Sequence, residues 1–110
     1  MLIVIYQWRI KEGAEEAFQA GWYKLTEAIY KKRGSLGSRL HKAEDGRWLG
    51  YAQWPDKATR ERAAAQETAE PEASALMSQS IVSSEPPIYL EIVADYLQTE
   101  IYQELLADAL

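Results

Sequence analysis

The period of the apolar residues changes along this chain in one order: strand, helix, strand, strand, helix, strand. Leu2-Ile3-Val4-Ile5-Tyr6-Gln7-Trp8-Arg9-Ile10 is rich in β-branched and aromatic residues and predicts a strand, closed by Lys11-Glu12-Gly13. Ala14, Ala17, Phe18, Gly21, Trp22, Leu25, Ala28 and Ile29 then recur at three- and four-residue steps, which is one apolar face of a helix. Glu15 and Glu16 fall in its first turn and Lys31, Lys32 and Arg33 in its last, the arrangement the helix dipole favours, and Gly34 supplies a left-handed stop.

Ser35 to Ala43 and Arg47 to Trp54 predict two strands joined at Glu44-Asp45-Gly46. If Asp45-Gly46 is a two-residue turn, Arg39 shares a face with Ala52. If Glu44-Asp45-Gly46 is a three-residue loop with Gly46 left-handed, Leu36 and Leu40 share a face with Trp48, Gly50, Ala52 and Trp54. Arg39 and His41 then join Leu49, Tyr51 and Gln53 on the other face, because a slip of one residue turns a strand over. The three-residue loop separates apolar from polar side chains better and is preferred. Asp56 is placed to cap a second helix whose apolar residues, Ala58, Ala65 and Ala69, are small. Pro71 should break or kink that helix, and a second piece from about Glu72 to Ser80 carries Ala73, Leu76 and Met77. Ser83-Ser84-Glu85-Pro86-Pro87 reads as a linker. Ile88 to Leu97 reads as the fourth strand, with Ile88, Leu90, Ile92 and Ala94 alternating against Tyr89, Glu91, Val93 and Asp95. In the tail, Ile101, Leu105 and Leu106 stand at helical spacing.

At 110 residues the chain predicts one domain. The element order predicts an α+β, ferredoxin-like βαββαβ fold with a four-stranded antiparallel sheet over residues 1–97, followed by an extra C-terminal helix over 98–110. Right-handed crossovers place both helices on one face of the sheet. That face is expected to collect Val4, Tyr6, Trp8, Leu36, Leu40, Trp48, Trp54, Ile88, Leu90 and Ile92. The opposite face keeps Ile3, Ile5, Leu49, Tyr51, Tyr89 and Val93, an apolar patch of the kind that marks an interface. The expectation is a homodimer with two sheets face to face, the tail reaching the partner or folding back over its own sheet.

With a net charge of −5 and a pI near 4.9, the chain lacks the basic face of a nucleic-acid binder. It has no cysteine, so no disulfide or thiolate ligand. The first strand has no basic lead-in or cleavage site, and no run approaches the roughly 18 apolar residues of a membrane span. The expected location is the cytoplasm. With one histidine and no calcium-loop spacing of carboxylates, neither a metal nor a cofactor is expected.

Three segments, Val4-Ile5-Tyr6-Gln7-Trp8-Arg9 with Lys11-Glu12-Gly13, Gly34-Ser35-Leu36-Gly37-Ser38-Arg39-Leu40-His41, and Trp48-Leu49-Gly50-Tyr51-Ala52-Gln53-Trp54-Pro55, make the chain resemble the antibiotic biosynthesis monooxygenase superfamily of dimeric α/β barrels. The resemblance spans roughly residues 1–97 and implies a pocket between sheet and helices in each subunit. Some members oxidise polycyclic phenols without a cofactor, others bind and degrade haem, and many have no assigned activity. The haem-degrading members use an asparagine, a tryptophan and a histidine on the second helix. This chain contains no asparagine, and its only histidine, His41, lies outside that helix, so the resemblance does not carry haem chemistry here. The asparagine of the phenol-oxidising members has no counterpart either; Trp54 alone matches a family tryptophan near the end of the third strand.

The resemblance therefore implies a cofactor-independent monooxygenase acting on a small aromatic or phenolic compound. The rival is a non-catalytic ligand-binding or interaction module on the same fold. Oxygenation without a cofactor requires an ionised substrate, donors that hold the anion, and a dry aromatic pocket. Tyr6, Trp8, Trp22, Trp48 and Trp54 are the candidate walls, with plain core packing as the alternative. Gly50 and Ala52 point to close packing or a cavity in mid-strand. His41, the one histidine of the chain, Arg39 and Tyr51 are the candidate catalytic groups. In the preferred register they face away from the helices. Arg9 and Arg39 have Glu91 and Asp95 as expected cross-strand partners.

Overall fold

The computed structural model describes residues 1–97, so the expected C-terminal helix lies outside the described residues. The elements are β1 (Leu2–Ile10), α1 (Glu15–Lys32), β2 (Gly37–Lys42), β3 (Trp48–Trp54), α2 (Lys57–Ala65), α3 (Pro71–Ser80), β4 (Ile81–Ser84) and β5 (Ile88–Glu91). Strands order β2-β3-β1-β4 in one antiparallel sheet, with β5 also on β1, which is the ferredoxin-like arrangement.

The β2–β3 hairpin takes the three-residue loop. Ala43 N–H donates to the Arg47 carbonyl at 2.8 Å, and Gly46 closes the loop at φ 89°. Leu40 therefore stands opposite Gly50 and His41 opposite Leu49. β1 continues the same alternation, with Val4 opposite Ala52, Tyr6 opposite Gly50 and Trp8 opposite Trp48. These even positions lie under the helices. Val4, Ala52 and Trp54 form one buried cluster with Ile29 and Ala63, and Phe18, Trp48 and Met77 form a second with Trp8 and Trp22.

The second helix is interrupted as Pro71 predicts. Asp56 caps α2 by accepting from Thr59 N–H at 2.7 Å, and α3 starts on Pro71. α3 lies close on α1 because Gly21 has no side chain; a Cβ there would stand 2.9 Å from the Ala73 carbonyl oxygen.

Three expectations are corrected. Ser83 and Ser84 of the expected linker belong to a strand, β4, with Trp8 opposite Ser84, and the strand expected to run to Leu97 ends at Glu91. Carrying that register onward would set Ile88 opposite Val4, under the helices. Instead Tyr89 is opposite Val4 and Ile88 is opposite Ile5. One extra residue enters between β4 and β5, where Pro86 and Pro87 have no N–H to give the ladder, and it turns β5 over. Tyr89 and Glu91 thus face the helices, and Ile88 and Leu90 face away. Second, Leu36 is half exposed; it precedes β2, and Gly37, the strand's first residue, turns the chain there at φ 112°. Third, Arg9 and Arg39 form no ion pair with Glu91 or Asp95; the ion pairs among the described residues are Lys31–Glu27, Arg47–Asp45 and Lys57–Glu61.

Candidate functional site

The helix-facing side of β1 and β3 alternates large and small residues, and this opens a hollow. Trp8 reaches over Gly50, which has no side chain, and stacks on Tyr6 with ring centroids 5.7 Å apart and planes 7° from parallel. Ala52 leaves the next position low. Under α1 the result is a cavity of about 230 Å³ walled by Tyr6, Trp8, Trp22, Trp54 and Met77. Its polar groups are few, as in ligand sites generally: the Tyr6 hydroxyl, Thr26, Ser35 and Ser38. Ser35 is buried and engaged, accepting from Gly37 N–H at 3.0 Å.

A second cavity of about 300 Å³ shares the Tyr6, Leu25, Ile29 and Trp54 walls and extends under α2 to Arg33, Arg60, Ala63 and Glu67. Arg60 Nη2 donates to the Tyr6 hydroxyl at 3.3 Å, and its guanidinium lies 5.7 Å from the Tyr89 ring centroid. Partial burial opposes the charge on Arg60, but the Tyr6 hydrogen bond and the neighbouring Tyr6, Tyr89 and Glu61 outweigh it, so its pKa is raised and the guanidinium stays charged. At the wall between the cavities, Trp54 Nε1 is buried with no hydrogen-bond partner. A buried donor without an acceptor costs about 1–3 kcal/mol, which the packing around the indole must offset.

A larger concavity, about 570 Å³, lies elsewhere, at the end of β1 among Gln7, Arg9, Asp45, Arg47 and Glu85. There Arg47 bonds Asp45 at 2.8 Å and Gln7 at 2.8 Å, while Arg9 and Glu85 join none of the ion pairs among the described residues. It lacks the enclosing aromatic walls of the helix-side cavities.

Of the expected pocket residues, Tyr6, Trp8, Trp22 and Trp54 line the cavity. Trp48 does not; Phe18 packs on it edge-to-face at 5.9 Å, and both belong to the buried core. His41 and Arg39 are exposed and stand on the opposite face of the sheet. Tyr51 contributes to the cavity lining between Gly50 and Ala52, but its register position, opposite Ile5 and Arg39, is on that same opposite face. The sheet thus separates His41 and Arg39 from the cavity. Arg60 was not among the expected site residues. Its signal is the spacing of Arg60, Ala63 and Ala64, which puts the guanidinium on the α2 face that packs toward the sheet.

An α+β sandwich with an aromatic hollow between its sheet and helices defines the class. The family model for antibiotic biosynthesis monooxygenase matches residues 1–72, and the chain belongs to that family. No curated protein matches the chain. Among solved structures, an antibiotic biosynthesis monooxygenase aligns at 22% identity over 86% of this chain and 100% of its own, TM-score 0.69. SnoaB, a cofactor-independent oxygenase from Streptomyces nogalater, aligns at 16% identity over 86% of this chain and 94% of its own, TM-score 0.72. Rv0793 from Mycobacterium tuberculosis aligns at 12% identity over 86% of this chain and 96% of its own, TM-score 0.69. At these identities the likeness is one of fold. No described helix is long and apolar enough to cross a membrane.

Proposed function

We propose that the chain is a cofactor-independent monooxygenase that takes a small aromatic or phenolic compound into the cavity under α1. The observation that carries this reading is the cavity itself: four large aromatic walls and a few hydroxyls, with Arg60 of the adjoining cavity hydrogen-bonded to the Tyr6 wall. A planar ring fits between such walls, and hydroxyl and guanidinium donors stabilise the anion that must form before oxygen can react. For a substrate with a doubly hydrogenated ring carbon, one oxygen atom becomes the new carbonyl. The other leaves as water with the two hydrogens, and the substrate itself supplies the electrons. The family and the fold shared with SnoaB support the same reading.

A second reading is favoured by one observation. Among the described residues, the lining of the aromatic cavity contains no carboxylate and no histidine. A site without a general base oxidises only substrates that ionise readily in it, or it binds without reacting. The experiment is oxygen uptake with an anthrone, whose ring CH2 becomes the quinone carbonyl, followed beside quinone absorbance. One oxygen consumed per quinone formed, only with protein and diminished in Ala52→Leu, supports the monooxygenase. Ligand-dependent thermal stabilisation without oxygen uptake supports the binding module.

We also infer that the chain pairs as a homodimer through the sheet face away from its helices. Ile5, Leu49, Ile88 and Leu90 lie on that face, the last two 43% and 44% exposed, and the overturned β5 makes it more apolar than simple alternation would.

A further inference from the structure

The α2 end of the paired cavities holds a charge that no carboxylate among the described residues pairs. A guanidinium has five N–H donors, and the described residues give Arg60 one side-chain hydrogen bond, to the Tyr6 hydroxyl at 3.3 Å. None of the ion pairs among the described residues involves Arg60. The other arginine of this wall, Arg33, is spent on main-chain carbonyls of Lys32 and Glu67, at 3.4 and 3.3 Å. Glu67, the carboxylate at the rim, is exposed and lies in no ion pair with either arginine. Arg60 is partly buried under α2 and beside the Tyr89 ring, so a charge brought to it is screened less than on open surface. The Trp54 ring stands in the wall common to the two cavities.

We propose that the ligand is an aromatic anion: its ring lies between the tryptophans, and a carboxylate or phenolate oxygen carried on the ring is bound by Arg60. This rests on the reading that the cavity takes an aromatic compound, and it adds a charge to that compound. A planar oxyanion matches the forked donors of arginine, and such charge-assisted hydrogen bonds are the strong ones. The proposal gives the polar α2 end a purpose that an uncharged hydrocarbon would leave empty.

Binding of matched pairs tests this by calorimetry: 2-naphthoate against 2-naphthamide for the carboxylate, and an ionised nitronaphthol against its methyl ether for the phenolate. In the wild-type protein the anion of at least one pair binds about tenfold or more tighter than its neutral partner, the size expected of a charged hydrogen bond, and the preference shrinks with added salt. In Arg60→Gln the preference disappears while the neutral compounds bind as before; a merely structural role for Arg60 would weaken both. Equal affinities in each wild-type pair, no binding of any of the four, or a preference that survives Arg60→Gln overturns the proposal. Oxygen uptake does not enter the measurement. An anion preference without oxygenation leaves this inference standing and removes the monooxygenase reading, and oxygenation of a neutral aromatic with no anion preference does the reverse.

Discussion

A Cβ at Gly50 would sit 2.8 Å from Cη2 of Trp8, so the strand residue is absent where the indole lies. The ring cannot simply swing aside, because Tyr6 stacks on it at 5.7 Å and Phe18 meets it edge-on at 5.2 Å. Gly50→Ala is therefore an overpacking change and should cost about 1–3 kcal/mol of folding stability. Urea denaturation measures this, and Trp8→Leu added to Gly50→Ala should recover part of the loss. Equal stabilities for wild type and Gly50→Ala would mean that Trp8 does not rest there.

The α1–α3 contact sets two opposing effects against each other at Gly21. Alanine in a helix interior gains about 1 kcal/mol over glycine. Its Cβ would meet the Ala73 carbonyl oxygen at 2.9 Å, and a main-chain atom of a packed helix cannot rotate away. The clash wins, and Gly21→Ala should be destabilising by about 1–3 kcal/mol. Ala20→Gly, at an exposed site on the same helix, isolates the propensity effect and should cost about 1 kcal/mol.

The cap of α2 carries a pH signature. The Thr59 N–H bond to Asp56 holds its carboxyl pKa below the usual aspartate value. A depressed folded pKa contributes stability that is complete above the unfolded value and is lost as pH falls through the folded one. Wild type should lose this contribution between about pH 4, the ordinary aspartate pKa, and the lower folded value. Asp56→Ala should be less stable at neutral pH and show a flatter acid limb. Melting curves between neutral and acid pH check it; parallel acid limbs for the two proteins would contradict the cap.

The proposed dimer places Ile88 and Leu90 between two sheets. Leu90→Arg should shift the protein from dimer to monomer in sedimentation equilibrium, while Val82→Arg, exposed on the short β4, should not. A wild-type protein that remains monomeric at high concentration would remove this face as the interface.

The legible parts of the fold were those where chemistry and pattern agreed. The hairpin register follows from Gly46, the loop residue able to take positive φ, together with the apolar alternation it produces in β3. The face of β5 was not legible, because its alternation is regular in either register and the single extra residue hides beside Pro86 and Pro87. The cavity was half legible. Tyr6, Trp8, Trp48 and Trp54 all occupy helix-facing positions of adjacent strands, and which of them meet empty space depends on Phe18 and Met77, which cover Trp48. Arg60 is harder to read, because α2 buries no residue and nothing larger than Ala63 and Ala64 marks its inward face.

The most direct test is a crystal structure of the protein soaked with 2-naphthoate. The account predicts the ring between Trp8, Trp22 and Trp54 and the carboxylate at Arg60. A naphthoate found only on the outer sheet face near Arg39 and His41, or a helix-side cavity that stays without ligand at saturating concentration, would contradict it.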